Sequence, residues 1–337
     1  MMIDATKDVS VVICAYTEER WSELIGAVSS IQEQSTPPRE IIVVIDHNRR
    51  LFERARAHIS GVVVIESGEL KGLSGARNSG IAMTQGAFIA FLDDDAIAEP
   101  DWLERLCNCC QDPQILGAGG IVEPLWAGGP PAWFPKEFYW VVGCTYQDLP
   151  EAATAVVRNP YGGCICIRRE VFEEVGGFRN GIGRVGAYPM GGEETELCIR
   201  ATQYWPHRVF LCEPRARIHH HISVYRASWR YFRSRCYAEG LSKAAVSRYV
   251  GAKDSLSSER TYICQMLPRG IMHGLRDALF HLDLTGFLRV GAIVVGFTMT
   301  TIGYLIGTVS QHFALCKEAS PPGSKVIFVR GKGKLVQ

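Results

Sequence analysis

The sequence predicts an α/β fold built on a doubly wound, largely parallel sheet, with a helical region at its C-terminal end. Three observations carry this. Short β-branched runs alternate with helix-length amphipathic segments over the first 125 residues. The runs are apolar throughout, as strands buried on both faces are. The residues just past them are polar and Gly-rich: "AYTEE", "DHN", "SGELKGLSGARN" and "DDDA". Ligands in open α/β sheets collect at these carboxyl ends.

Taken in order, residues 9–16, 40–46, 61–67 and 87–93 read as strands. Glu18 to Gln34, Arg50 to Ile59 and Gly75 to Met83 read as the helices between them, joined in right-handed βαβ units. From Glu123 to Tyr146 the pattern breaks into a Pro/Gly/Trp-rich loop; its segment 130–140, "PPAWFPKEFYW", suits a mobile lid or a membrane-facing loop. A strand over 162–167, a Gly-rich loop over 180–192 and the helix "EETELCIRA" follow. After His221 the chain turns aromatic and basic. The expected organisation is 1–125 and 126–225 as the two halves of the α/β part, 226–315 as a helical membrane-associated region and 316–337 as a basic tail.

Thirty-six basic residues stand against 35 acidic ones, so the net charge of +1 indicates no nucleic-acid partner. The opening "MMIDATKDVSVVICAY" lacks the basic start of a secretory signal. The twelve cysteines fall within apolar or helix-like stretches and read as reduced fillers, including Cys107, Cys109 and Cys110, which lack a second Cys/His pair at metal-binding spacing. Val290 to Val309 is 20 residues without a charge, close to the ~20 that span a bilayer. It carries Gly303-x-x-x-Gly307, a small-residue pattern suited to helix packing or to self-association through the C-terminal helices. Arg269, Arg276 and Arg289 precede it and Lys317, Lys325, Arg330, Lys332 and Lys334 follow, so charge sets no orientation. One crossing and a re-entrant or in-plane helix pair remain equal expectations, with the catalytic part on the cytoplasmic face.

"AFIAFLDDDA" ends a buried run in three carboxylates. On extended backbone Asp93 and Asp95 face the same way and Asp94 the other. Two carboxylates converging past a strand end suit Mg²⁺ or Mn²⁺, which in turn suits a substrate diphosphate. The competing reading is acidic residues ahead of a helix over "EPDWLERL", complementing its dipole. The histidines of "RARIHHHIS" end a strand-like run in which His219 and His221 share one side and His220 the other. In "YRASWRYFRSRCYAEG", Arg226, Arg230 and Arg233 read as one helical stripe facing a lipid phosphate or anionic headgroups, or as the ordinary polar face of an amphipathic helix.

These residues resemble the family 2 glycosyltransferases of GT-A fold. "FLDDDA" after the fourth strand, "VVICAYTEE" at the first, "GLSGARNSG" before the third helix and "GGEETELCIRA" stand in that family's order, from about Val9 to Ala244. The resemblance implies that Ala15, Tyr16 and Glu18 line the nucleotide and that Asp46 binds uracil or ribose, unless it only caps its strand. It implies nucleotide contacts from Arg77, Asn78, Asp93 and Asp94, and metal ligation by Asp93, Asp95 and His220. The family's catalytic base falls at Glu194, but the pair here is Glu193–Glu194, which leaves the base between them. Glu196 pairs more naturally with Arg200, its i+4 neighbour.

The expected activity is therefore inverting transfer of a sugar from a nucleotide-sugar, UDP-linked by resemblance, to a polyprenyl-phosphate-linked or other saccharide acceptor in cell-envelope polysaccharide or glycan assembly. A processive synthase is disfavoured because "QMLPRG" (265–270) is the nearest approach to Gln-x-x-Arg-Trp. A nucleotidyltransferase would need a basic Gly-rich loop where "CAYTEERW" stands. An inactive sugar-nucleotide-binding membrane scaffold is the alternative from another class.

Overall fold

The computed structural model describes residues 8–146, 153–184 and 189–318, with side chains to residue 310; most of the expected basic tail lies outside the described residues. One nine-stranded mixed sheet organises the chain. Its strands are β1 (Val9–Ala15), β2 (Glu40–Ile45), β3 (Val63–Glu66), β4 (Phe88–Asp93), β5 (Ala96–Ala98), β6 (Ile115–Trp126), β7 (Ala155–Val157), β8 (Cys164–Arg168) and β9 (Val209–Ile222). They lie in the order β3-β2-β1-β4-β8-β6-β9-β5, with β7 also paired to β9. β1 to β4 are parallel, and β8 turns antiparallel against β4.

Helices cover both faces of the sheet. They are α1 (Trp21–Gln32), α2 (Arg49–His58), α3 (Leu73–Met83), α4 (Trp102–Cys109), α5 (Arg169–Val175) and α6 (Glu193–Tyr204). Val11 and Ile13 of β1 enter one core and Val12 the other, so the strand is apolar without alternation. Cys107 and Cys110 are fully buried members of the first core. α4 starts at Trp102, beyond β5, so the acidic triplet does not sit in its first turn and the dipole reading does not apply.

The segment expected as a mobile lid or a membrane-facing loop packs its rings against Trp126, Trp229 and Phe232. Phe134 and Phe138 are buried. Trp126, Trp133, Phe134, Trp229 and Phe232 form edge and stacked contacts at 4.8–5.5 Å. Burial of this aromatic area, and not mobility, explains the residues there.

The C-terminal part comprises α7 (Trp229–Val250), the short α8 (Ala252–Ser255) and α9 (Ser257–Thr261), a π-helical turn (Tyr262–Met266), α10 (Leu267–Phe280) and α11 (Thr285–Glu318). Ser228 caps α7 by accepting a hydrogen bond from the Tyr231 N–H at 3.2 Å. Because α7 begins at Trp229, Arg226 lies in the preceding turn, and the expected stripe of Arg226, Arg230 and Arg233 is not one helical face. Among the described residues, Thr285–Ser310 is the one helix long and apolar enough to cross a membrane.

Candidate active site

The parallel strands end at a cleft of about 1480 Å³, larger than the ~300–1,000 Å³ usual for one small ligand. Ala15, Tyr16, Asp46, Arg77, Asp93, Asp94, Asp95, Glu193, Glu194, His220 and Arg226 all line it. Glu18, Asn78, Arg230 and Arg233 do not. Asn78 is committed elsewhere: its amide donates to the Phe178 carbonyl and accepts from the Phe178 N–H, both at 2.8 Å, pinning the turn before the Gly-rich loop. Arg230 and Arg233 are exposed on α7. Asp46 accepts a hydrogen bond from the Gly72 N–H at 3.0 Å and pairs with His47 at 2.8 Å, so capping occupies part of its carboxylate.

Four side chains meet the acidic triplet. Arg20 forks between Asp94 (3.0 Å) and Asp95 (2.9 Å). Arg226 lies 3.3 Å and His220 3.0 Å from Asp95. Arg77 reaches Asp93 at 3.4 Å. Part of the repulsion expected to need a metal is therefore offset by arginines. Burial raises Asp95, but His220, Arg226 and Arg20 outweigh it and hold the carboxyl well below its usual range. Asp94 is pushed up to about 7 by burial and by Asp95, against the pull of Arg20.

One oxygen or nitrogen from each of Asp93, Asp95 and His220 falls within 4.8 Å of the others. Two carboxylates and an imidazole suit Mn²⁺ or Mg²⁺. Asp93 is the most open of the three, and a Cβ at Gly163 would run into its carboxylate. Asp94 Oδ2 and Glu193 Oε2 are buried without a hydrogen-bond partner among the described residues, so the cleft wall retains unused acceptors. The residues present fit a divalent cation.

Across the cleft, α6 presents the paired glutamates. Arg77 donates to Glu193 at 3.0 Å, both side chains being buried. Glu194 has no cation in contact among the described residues. Burial, then Glu193, push its carboxyl up to about 8, with Arg77 pulling the other way. Glu196 is bound by Arg200 (2.8 Å) and Arg179 (3.1 Å), in line with its structural reading.

Farther along, Arg158, Arg235 and Lys243 pair with Glu239 and Glu259 at 2.5–3.3 Å. Arg20, Arg158, Glu239 and Lys243 were not singled out from the sequence. Arg20 sits in "TEER", where surrounding acids mask it, and its partners are 74 and 75 positions away.

A cleft at the carboxyl ends of parallel strands, with an acidic turn on one wall and a paired-glutamate helix on the other, defines a glycosyltransferase of GT-A fold. The chain belongs to glycosyl transferase family 2, whose model matches residues 10–176. It is 32% identical over 309 residues to the glucosyl-dolichyl phosphate glucuronosyltransferase of Haloferax volcanii, covering 90% of this chain and 97% of that one. It is 27% identical over 292 residues to the succinoglycan biosynthesis protein ExoM of Rhizobium meliloti, covering 78% and 87%. Among solved structures, the mannosyltransferase PcManGT of Pyrobaculum calidifontis, in complex with GDP-Man and Mn²⁺, matches with a TM-score of 0.53 at 15% identity, covering 87% of this chain and 86% of that one.

Proposed function

We propose that this chain is an inverting, metal-dependent glycosyltransferase moving a hexosyl or hexuronosyl group from a UDP-sugar to a sugar carried on a polyprenyl phosphate, at the cytoplasmic face of a membrane. The observation that carries this reading is the separation of two adjacent acids: Glu193 is neutralised by Arg77, while Glu194, which lines the same cleft as Asp93 and Asp95, has no cationic partner among the described residues. The full-length similarity to a glucuronosyltransferase named for a glucosyl-dolichyl phosphate supports the acceptor and the uronic acid. The long apolar helix supports membrane association. UDP as the nucleotide rests on the motif resemblance. On this reading residues 1–125 chiefly hold the donor and 126–225 the acceptor.

Tyr16, Asp46 and the acidic turn would hold the nucleotide, and Asp93, Asp95 and His220 would hold the cation. A bound cation supplies positive charge to the leaving diphosphate. Glu194 takes the proton of the acceptor hydroxyl as that oxygen forms its bond to C1 of the donor sugar. The C1–O bond to the diphosphate breaks, and its electron pair leaves with the nucleoside diphosphate. Displacement from the opposite face inverts the anomeric centre. A carboxyl raised to about 8 is a stronger base than an ordinary glutamate and suits this role.

A thermal-shift screen of UDP- and GDP-sugars with and without Mn²⁺ tests the donor assignment, since ligand binding raises apparent stability by mass action. A metal-dependent shift with a UDP-sugar is expected. A shift with GDP-sugars alone would move the donor assignment, and none with any nucleotide would contradict the enzyme reading.

A further inference from the structure

The middle of the apolar helix is part of the catalytic body. A Cβ at Gly303 of α11 would strike the Tyr237 carbonyl of α7, and one at Gly240 the Thr300 carbonyl. A Cβ at Gly307 would come within 2.8 Å of Ala244 Cβ. These pairs advance together, so α7 runs parallel to α11 beside the C-terminal half of the apolar stretch. Gly303 and Gly307 are thus spent on packing inside this chain and not on a second copy. Farther back, Gly296 abuts the Phe138 ring.

α7 is not a lipid-compatible helix. Arg235 pairs with Glu239 at 2.8 Å and Lys243 with the same acid at 3.3 Å. Val246 and Val250 pack against Ile182 and Ile199, the latter on α6 four residues beyond Thr195 and close to Glu194. A perpendicular crossing by α11 would carry α7, α6 and the cleft into hydrocarbon. Charged groups and irregular lipid-exposed backbone are not sustained there.

The other face of α11 is apolar and uncovered: Leu288, Val294, Ile302, Leu305 and Val309 are exposed. Met272, Leu279 and Phe280 of α10, with Leu282 and Leu284 of the connecting turn, extend it. α10 and α11 meet closely, a Cβ at Gly274 reaching within 2.9 Å of the Gly286 carbonyl. α10 also exposes Arg269, His273 and Arg276, spaced i, i+4 and i+7, beside these apolar side chains. Bulky apolar residues bordered by arginines match the boundary between acyl chains and anionic headgroups.

We propose that α10 and α11 lie flat in the interface of an anionic bilayer, α11 being an in-plane anchor along its length and not a crossing. The inference rests on the membrane association proposed above and makes it specific. At 34 residues and ~1.5 Å per residue, α11 is about 51 Å long, a length an in-plane helix uses in full. Phe297, Thr300 and Tyr304 line the cleft from the same helix, so a lipid-borne acceptor reaches the catalytic acids without leaving the surface.

Nitroxide labels placed singly at Leu288→Cys, Val294→Cys, Ile302→Cys and Val309→Cys, in full-length protein with Cys264→Ser and Cys316→Ser, test this on vesicles of phosphatidylcholine and phosphatidylglycerol. All four positions are exposed, so labelling leaves the core intact. Depth by power saturation is expected to be shallow and equal at all four. A profile that deepens at Val294 and Ile302 and shallows again at Val309 would overturn the in-plane placement while leaving membrane association intact. Labels that stay in water, or are shielded by a second copy without vesicles, would overturn both. Reversing Arg269 and Arg276 to Glu should weaken binding to the anionic vesicles at least about tenfold and leave neutral vesicles unaffected; equal binding to both would contradict the placement of α10.

Discussion

Arg77 lies 3.0 Å from Glu193 and 3.4 Å from Asp93, so one buried guanidinium ties the acidic turn after β4 to the helix that carries the paired glutamates. Phe91 and Phe178 flank it with ring centroids 5.7 and 5.3 Å away. Removing one partner of such a buried pair strands the other. Arg77→Met is expected to destabilise the protein by about 3–5 kcal/mol, read as a drop in the denaturant midpoint. Adding Glu193→Gln should recover part of the loss, because the two sites are coupled. Additive losses would show that the pair is not a unit.

The adjacent glutamates should separate by kinetics. Glu194→Gln should lower kcat by about 10²–10⁴-fold, the usual worth of a general base, while the donor-induced thermal shift persists. Glu193→Gln should mainly lower stability, since it loses an ion pair and not the base. Reversal of the two phenotypes would move the base to Glu193.

The pH dependence follows from Glu194. Its carboxyl is raised from 4.5 to about 8 by burial and by Glu193. Below 8 it is mostly protonated and cannot accept the acceptor's proton, so kcat/KM should rise with pH and level off above 8. For stability the sign is opposite. Between 4.5 and 8 the folded state holds this proton and the unfolded state does not, so stability declines as pH rises through that window. In Glu194→Gln that decline should shrink, making the variant relatively more stable at pH 9 than at pH 6. Parallel Tm curves for the two proteins would contradict the raised carboxyl.

Chelation should abolish transfer, and Mn²⁺ or Mg²⁺ should restore it. Asp95→Asn should not be restored by either ion. Because Asp95 also faces Arg20, His220 and Arg226, this variant should melt lower than wild type even with chelator present. Full transfer by Asp95→Asn would remove the carboxylate from the metal site.

The sequence exposed what is local and left unseen what is assembled at a distance. Asp93 and Asp95 stood out because three acids end a buried strand; His220 came from the family resemblance, since strand alternation only sets it apart from His219 and His221 without choosing between the two faces. Arg20 acts through contacts 74 and 75 positions away, and Arg77, expected only at the nucleotide, pairs with Glu193 116 positions away; no local pattern reports either pairing. Arg226 was placed on a helix because its spacing to Arg230 fits one. The Ser228 cap starts α7 at Trp229, three residues past Arg226, and the turn aims Arg226 at Asp95. The aromatic segment at 130–140 read as a mobile lid or a membrane-facing loop because three prolines interrupt it among its aromatics. Its rings bury one another, which composition alone does not disclose.

The central claim is that Glu194 deprotonates a lipid-linked sugar as it attacks a nucleotide-sugar. The most direct test incubates the full-length protein with UDP-glucuronate, glucosyl-dolichyl phosphate and Mn²⁺, and follows the lipid by mass spectrometry. Wild type should yield a product heavier by one hexuronyl residue, and Glu194→Gln should yield almost none while still binding the donor. Equal product from both proteins would contradict the account.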